Sequence, residues 1–237
     1  VSGLARPVCA VDVGGGTGIS TRLLAAAGAD VIGVDPNEEM LAEARRHPPP
    51  PAGSVTYLRA AAEDTGLESG GANLVHCAQS FHWFDPAAAR VEALRICRGR
   101  PAAALIWNLR LHEASPLMAG YDTLVRRISD EGERVTRQKV TPHDQLSFFG
   151  HDRYRTETLD NRQELDQEGL QGRLLSSSYA PARDDPGCAE VIRELDALYD
   201  AHQRDGVVSF LYETCVHCGE MQVGTGGSPD PEGGAGR

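Results

Sequence analysis

The first half of the chain alternates short apolar runs with stretches that have helical periodicity. The apolar runs predict strands at residues 7–13, 30–35, 55–59, 72–78 and 102–107. Helices are predicted from the glycine turn to about residue 27, and at residues 37–46 and 86–96. Short apolar strands that alternate with helices are typical of parallel pairing, so the pattern predicts an α/β fold with a doubly wound sheet.

After Asn108 the alternation becomes less regular. Residues 115–136 and 191–202 have helical spacing, and the apolar stripe on the first of these helices is expected to face the core. We predict one domain over residues 1–223, in which residues 109–180 form an insert or lid that carries the substrate region. Residues 224–237 are rich in glycine, proline and acid, which predicts a disordered tail.

A glycine-rich turn follows the first predicted strand, with Asp12, Gly14, Gly16 and Gly18 at alternate positions. Glycines permit a tight turn and a close approach of the backbone to a ligand, and the free amides of the next helix can bind an anion. The dinucleotide fingerprint requires a glycine three residues after the second one, where this chain has Ile19. The Lys-Ser/Thr pair of a nucleoside triphosphate loop is also missing from this turn.

Asp35 ends the second predicted strand. A carboxylate at this position can accept hydrogen bonds from both ribose hydroxyls of an adenosine. The alternative is a role in starting the next helix, which Asn37 can already serve. Because the acid and the glycine turn occur together, we interpret Asp35 as a ribose ligand.

Composition narrows the function further. The net charge is −11 and Lys139 is the only lysine, so we expect no nucleic-acid partner. No apolar run reaches the roughly 18–20 residues that span a membrane, and the first residues do not resemble a signal peptide, so we expect a cytoplasmic protein without a membrane partner. Among the six cysteines, only the segment Cys215 to Cys218 has ligand-like spacing, and without a second pair it predicts no metal site.

Three segments stand out together, namely Asp12-Val13-Gly14-Gly15-Gly16-Thr17-Gly18, Ala62-Glu63-Asp64-Thr65-Gly66-Leu67 and Ala78-Gln79-Ser80-Phe81-His82-Trp83-Phe84-Asp85. With these segments the chain resembles the class I methyltransferases of the methyltransferase type 11 group. The His-Trp-Phe-Asp stretch is similar to a subgroup that includes relatives of trans-aconitate methyltransferase. Residues 104–108, 172–179 and 210–214 extend the similarity.

The resemblance implies a Rossmann-like sheet of seven strands, whose antiparallel last strand would be residues 207–217, and S-adenosyl-L-methionine as the cofactor. Family members usually have a helix before the glycine strand, whereas this sequence starts almost at that strand, so we expect either a truncated chain or a more open pocket. The implied cofactor contacts come from the glycine turn and the three loops that follow. Gly14, Gly16 and Gly18 would lie under the methionine with Asp12 nearby, Asp35 would bind the ribose, Met40, Ala62 and Glu63 would surround the adenine, and Gln79 and Ser80 would face the methyl donor.

Methyl transfer requires alignment of the acceptor and the methyl group at about 3 Å, and a general base only when the acceptor arrives protonated. His82 is the candidate base. The alternative, which we favour, is a packed structural turn at residues 82–84. The acceptor is expected to be a small, largely apolar molecule with an oxygen or nitrogen nucleophile, a carboxylate included, beneath a lid that contains Leu117, Met118, Tyr121, Phe148 and Phe149. Two alternatives stay open, namely a catalytically silent S-adenosylmethionine-binding protein and a nicotinamide-dependent oxidoreductase.

Overall fold

The computed structural model describes residues 8–129, 140–177, 180–182 and 184–223. Within these ranges a single sheet of seven strands has the order β3-β2-β1-β4-β5-β7-β6. The strands are β1 Cys9–Val13, β2 Asp30–Asp35, β3 Ser54–Arg59, β4 Ala72–Ala78, β5 Cys97–Arg110, β6 Arg155–Leu165 and β7 Val208–Glu220. Strands β1 to β5 pair in parallel, and β7 is antiparallel to both β5 and β6. The predicted Rossmann-like fold with an antiparallel last strand is confirmed.

Seven α-helices connect or flank the strands in the described ranges. They are α1 Ile19–Ala26, α2 Glu38–Arg45, α3 Pro86–Ile96, α4 Pro116–Ile128, α5 Pro142–Phe149, α6 Gln167–Leu175 and α7 Cys188–His202. Asn37 caps α2 and Asp85 caps α3, each accepting hydrogen bonds from backbone amides of the first turn. The helices predicted in the first half of the chain are therefore confirmed to within one or two residues.

One strand has no counterpart in the sequence prediction. Strand β6 lies at the edge of the sheet, and almost all of its side chains are exposed. Because an exposed edge strand buries neither face, it lacks the apolar alternation by which strands are recognised. Strand β5 is also longer than residues 102–107, since its pairing with β7 continues to Arg110.

The helices cover the sheet in two layers and a cap. Helix α1 packs on one face around Ala10 and Val31, and α3 and α5 pack on the other face around Val11 and Leu105. Helices α4, α6 and α7 enclose a second core with the beginning of β7. The range 109–180 thus contributes a strand of the sheet as well as two helices of this cap, and its description as an insert or lid stays a prediction.

The described residues contain no helix of sufficient length and hydropathy to cross a membrane. The predicted disordered tail at residues 224–237 lies outside the described residues, as does the end of the helix predicted to reach residue 136.

Candidate active site

The residues singled out in the sequence lie at the carboxyl edge of the sheet. The glycine loop follows β1, Asp35 ends β2, Ala62 and Glu63 follow β3, and Gln79, Ser80 and His82 follow β4. Met40 lies in the first turns of α2. Parallel strands bring their carboxyl ends to one edge, where doubly wound proteins bind their ligands.

The glycine loop contains three residues with positive φ, namely Gly14 (70°), Gly16 (54°) and Gly18 (76°). A Cβ atom added at Gly14 would lie 2.3 Å from Cβ of Ser80, and one added at Gly18 would lie 2.2 Å from the hydroxyl of Tyr57. A Cβ atom at Gly16 would meet no described atom within 4 Å. Gly14 and Gly18 are therefore required by packing inside the protein, whereas Gly16 borders open space that a ligand can occupy.

Asp35 connects the glycine loop to the second strand. Its Oδ2 accepts a hydrogen bond of 2.9 Å from the backbone N–H of Gly16, and its Oδ1 accepts one of 2.8 Å from the N–H of Asn37. Asn37 is the side chain that caps α2, so the alternative role of Asp35 as the helix cap is filled by its neighbour. Because a carboxylate has about four acceptor positions, each oxygen of Asp35 can still accept a ribose hydroxyl.

Asp12 lies beneath the glycine loop and is fully buried. Its Oδ2 accepts hydrogen bonds of 2.6 Å from the hydroxyls of Ser20 and Thr21 in α1, and its Oδ1 lies 2.8 Å from Nδ1 of His76 in β4. A buried carboxylate is tolerated when it is paired and hydrogen-bonded in this way. Asp12 therefore fixes the loop between β1, α1 and β4, and its side chain does not reach the open side of the site.

Three other predicted contact residues are also engaged within the protein. Ser80 is buried, and its hydroxyl donates a hydrogen bond of 2.7 Å to the carbonyl oxygen of Val13. Ala62 belongs to the core beside α3. Glu63 accepts a hydrogen bond of 2.9 Å from the backbone N–H of Asp85. These side chains hold the loops after β1, β3 and β4 together.

The exposed predicted residues are Met40 and Gln79. The side chain of Met40 is 43% exposed at the start of α2, although it is apolar. Gln79 has a φ of 61°, which is rare for a residue other than glycine, and its backbone N–H donates to the carbonyl oxygen of Ile106 in β5. An unusual backbone conformation at the tip of β4 is often associated with a functional site.

A buried network that the sequence analysis did not identify supports the loop after β3. Glu92 of α3 accepts hydrogen bonds from the backbone N–H (2.8 Å) and the hydroxyl of Thr65, and both oxygens bind Arg95 at 2.7 Å. The hydrogen bonds from Arg95 and from Thr65 lower the pKa of Glu92 to about 2. Helical periodicity alone assigns Glu92 to an ordinary polar position, so the sequence carried no signal for this role.

His82 lies in a short 3₁₀ turn, Phe81–Trp83, and is half-buried. Its ring centroid is 4.8 Å from that of Trp83, whose side chain is 78% exposed. Phe81 anchors the turn, because it is buried and packs against Phe84 and Phe148. The turn is therefore packed on one side and open on the other, and the role of His82 as a base stays a prediction.

The five apolar residues expected beneath a lid occupy two different cores. Leu117, Met118 and Tyr121 pack in the cap, whereas Phe148 and Phe149 pack against the central sheet, and all five are at most 4% exposed. They complete the cores of the protein and do not line an open acceptor pocket.

The cysteine-containing segment of β7 does not form a chelating pair. Cys215 and Cys218 are three residues apart on a strand, so their side chains point to opposite faces of the sheet. Across the described residues, no three His, Cys, Asp or Glu side chains are arranged to hold a metal ion. Burial raises the pKa of the Cys215 thiol, which disfavours the reactive thiolate.

Comparison with known proteins places this edge of the sheet in a recognised domain. Residues 11–101, which include all the predicted site residues, match the model of the family described as a methyltransferase domain. Over 100 residues the chain is 38% identical to an uncharacterised methyltransferase of Mycobacterium tuberculosis, covering 42% of this chain and 40% of the relative. Over 91 residues it is 36% identical to the ubiquinone biosynthesis O-methyltransferase of Methylococcus capsulatus, covering 38% of each chain. The matched part thus spans about two fifths of these relatives.

Solved structures extend the similarity to nearly the whole chain at the level of the fold. A candidate type II methyltransferase from Anaeromyxobacter dehalogenans superposes with a TM-score of 0.67 at 22% identity, over 92% of this chain and 91% of the other. A candidate methyltransferase of an antibiotic biosynthesis pathway from Anabaena variabilis gives a TM-score of 0.59 at 18% identity, over 90% and 92%. The fold is that of a class I methyltransferase.

Proposed function

We propose that the chain is an S-adenosylmethionine-dependent methyltransferase that acts on an oxygen or nitrogen atom of a small molecule. The hydrogen bond between Gly16 and Asp35 carries this proposal, because it joins an open glycine loop to a ribose-binding carboxylate. The His82 to Asp85 stretch supports a place among the relatives of trans-aconitate methyltransferase. The net charge of −11 favours a small acceptor over nucleic acid.

The residues at the carboxyl edge fit this cofactor. The open space beside Gly16 leaves room for the methionine part, Asp35 retains acceptor positions for the ribose, and Met40 offers an exposed apolar surface to the adenine. When bound, the cofactor supplies a methyl group activated by a sulfonium. The buried side chains of Asp12 and Ser80 would act on the cofactor only through the loop that they hold.

The protein would contribute alignment, exclusion of water and, for some acceptors, removal of a proton. Gln79 stands at the tip of β4, where its strained backbone is fixed by the hydrogen bond to Ile106. The rings of Phe81 and Phe84 pack edge to face and form an apolar surface next to the 3₁₀ turn that follows β4. His82 is the residue that would take the proton from a phenol or an ammonium group, whereas a carboxylate acceptor requires no base.

A methyl-transfer screen tests this function. The purified protein is incubated with S-adenosylmethionine labelled in the methyl group and with panels of small carboxylic acids, phenols and amines. We expect labelled product with at least one class, and none with the Gly16→Val variant. Binding of the cofactor without transfer to any class would favour the silent binding protein over the enzyme.

A further inference from the structure

Three polar side chains from three neighbouring strands form a hydrogen-bonded cluster at the carboxyl edge. The hydroxyl of Thr214 in β7 donates to Oδ1 of Asn108 in β5 at 2.7 Å. Nδ2 of Asn161 in β6 donates to Thr214 Oγ1 at 3.0 Å and lies 3.4 Å from Asn108 Oδ1. The cluster holds the Oδ1 atom of Asn108 against Thr214. The NH₂ group of Asn108 points away from the cluster and donates to no described residue.

The cluster lies beside the expected position of the methyl donor. Asn108 follows Ile106 by two residues in β5, and the Ile106 carbonyl oxygen accepts the hydrogen bond from Gln79 at the tip of β4. Asn108 and Ile106 point to the same face of the sheet, because side chains alternate along a strand. This is also the face that carries Asp12 beneath the glycine loop, as the register from β1 through β4 to β5 shows.

An arginine of the cap lies over the next residues of the same face. The guanidinium of Arg173 in α6 is stacked over the ring of Tyr212 at 5.4 Å and over the ring of Phe210 at 5.7 Å. Tyr212 is the neighbour of Thr214 on this face and pairs directly with Asn161. Two positions along a strand are about 7 Å apart, so the guanidinium and the cluster are within reach of one small molecule.

Arg173 is exposed and forms no ion pair with any described residue. The chain has 34 acidic and 23 basic residues, so most arginines are expected to have a carboxylate nearby, whereas Arg173 stands on two aromatic rings with no carboxylate partner among the described residues. Stacking restricts the guanidinium while leaving its edge available, and the planar edge matches a carboxylate in a bidentate hydrogen bond.

We propose that Arg173 and the cluster of Asn108, Asn161 and Thr214 form the acceptor subsite and select a small molecule that carries a carboxylate. The carboxylate binds the guanidinium of Arg173, the polar cluster binds the middle of the molecule, and the reacting atom extends toward Gln79. This inference rests on the proposed methyltransferase function. It replaces the largely apolar acceptor that the sequence predicts, because the apolar residues of that prediction are buried in the cores.

The test uses pairs of acceptors that differ only in this group. The pairs are hydroxybenzoates with hydroxybenzamides and aminobenzoates with aminobenzamides. Methyl transfer is measured for the wild type, Arg173→Gln, Arg173→Lys and the control Arg193→Gln, which changes an exposed arginine of α7 that forms no ion pair with any described residue. Calorimetry measures the affinity of each variant for S-adenosylmethionine and for the best acid.

For the best acid we expect a kcat/KM at least tenfold above that of its amide. Arg173→Gln should raise the KM for the acid at least tenfold with a smaller effect on kcat, and leave the amide and the cofactor affinity unchanged. Arg173→Lys should be intermediate, since it keeps the charge but loses the planar fork. Arg193→Gln should behave as the wild type.

Equal use of acids and amides, or equal behaviour of Arg173→Gln and Arg193→Gln, would overturn the proposed subsite. So would a protein that binds S-adenosylmethionine but neither binds nor methylates any of the acids. Failure of the proposed function gives a different result, because the protein would then not bind S-adenosylmethionine. The calorimetric titration with acids still decides whether Arg173 holds a carboxylate in that case.

Discussion

The backbone N–H of Gly16 donates a hydrogen bond of 2.9 Å to Oδ2 of Asp35. This contact joins the turn after β1 to the end of β2 and holds the open glycine next to the carboxylate. A ligand in the space beside Gly16 would therefore lie next to the carboxylate of Asp35. The arrangement explains why the two sequence signals, the glycine turn and the strand-end acid, belong to one site.

Replacement of Gly16 by valine should abolish cofactor binding. The side chain would occupy the open space beside the loop, and the positive φ of Gly16 would add strain of about 1–3 kcal/mol. Gly99→Val is the matched control, since Gly99 also has a positive φ and open surroundings but lies at the opposite edge of the sheet. Calorimetry with S-adenosylmethionine should show loss of binding for Gly16→Val alone. Equal loss in both variants would mean that strain, and not the ligand space, is responsible.

Replacement of Asp12 by alanine should destabilise the whole domain. It would leave the Thr21 hydroxyl and the His76 ring buried without their acceptor, and the loss of one partner from a buried pair typically costs about 3–5 kcal/mol. The free energy of unfolding, measured in urea, gives the effect. Asp30→Ala, which removes an exposed hydrogen bond to Ser54, should cost less than about 1 kcal/mol. A loss at Asp12 no larger than that at Asp30 would contradict the supporting role.

The sequence predicted the elements and the site that depend on local patterns. Strands β1, β2, β4 and β5 are recognisable because buried parallel strands are largely apolar runs, and Asp35 because it ends one of them. Strand β6 could not be predicted, since its pairing partner β7 lies more than 40 residues away and its exposed side chains show no alternation. The hydrogen bonds among Asn108, Asn161 and Thr214 depend on the register of β6 and β7, so the sequence could not predict them either.

The Glu92 network should make stability depend on acid pH. The pKa of Glu92 is lowered from 4.5 to about 2 by its hydrogen bonds, first from Arg95 and then from Thr65. A carboxylate with a lowered pKa in the folded state adds stability that is complete above the unfolded value and is lost as the pH falls toward 2. At neutral pH, Glu92→Gln should lower the free energy of unfolding by about 1.5–3 kcal/mol.

Thermal unfolding of the wild type and of Glu92→Gln between pH 7 and pH 2.5 measures this effect. The difference in Tm between the two proteins should be largest at pH 7 and should shrink below about pH 4.5. Glu38→Gln, which changes an exposed ion pair with Arg45, serves as the control and should have little effect at any pH. A difference at Glu92 that stays constant with pH would contradict the assigned network.

Acceptors that arrive protonated and acceptors that arrive deprotonated distinguish a catalytic role of His82 from a structural one. If His82 removes the proton from a phenol or an ammonium group, His82→Asn should lower turnover of these acceptors by about 10²–10⁴ and remove the rise of turnover with pH. Carboxylate acceptors should be unaffected, because they arrive deprotonated. Cofactor affinity should also be unchanged. If His82→Asn instead lowers turnover by the same factor with both kinds of acceptor, and also lowers the Tm or the cofactor affinity, then His82 has a structural role in the turn and is not a base.

The selectivity of the protein for its cofactor tests the proposed S-adenosylmethionine site most directly. Isothermal titration of the protein with S-adenosylmethionine, S-adenosylhomocysteine and NAD should show micromolar binding of the first two and none of NAD. Asp35→Ala should weaken the binding of S-adenosylmethionine by about 1.5–3 kcal/mol, which is about 10- to 150-fold in Kd, while Asp30→Ala at the other end of β2 should leave it unchanged. Preferential binding of NAD, or equal affinities in Asp35→Ala and the wild type, would contradict the assignment of this edge of the sheet as an S-adenosylmethionine site.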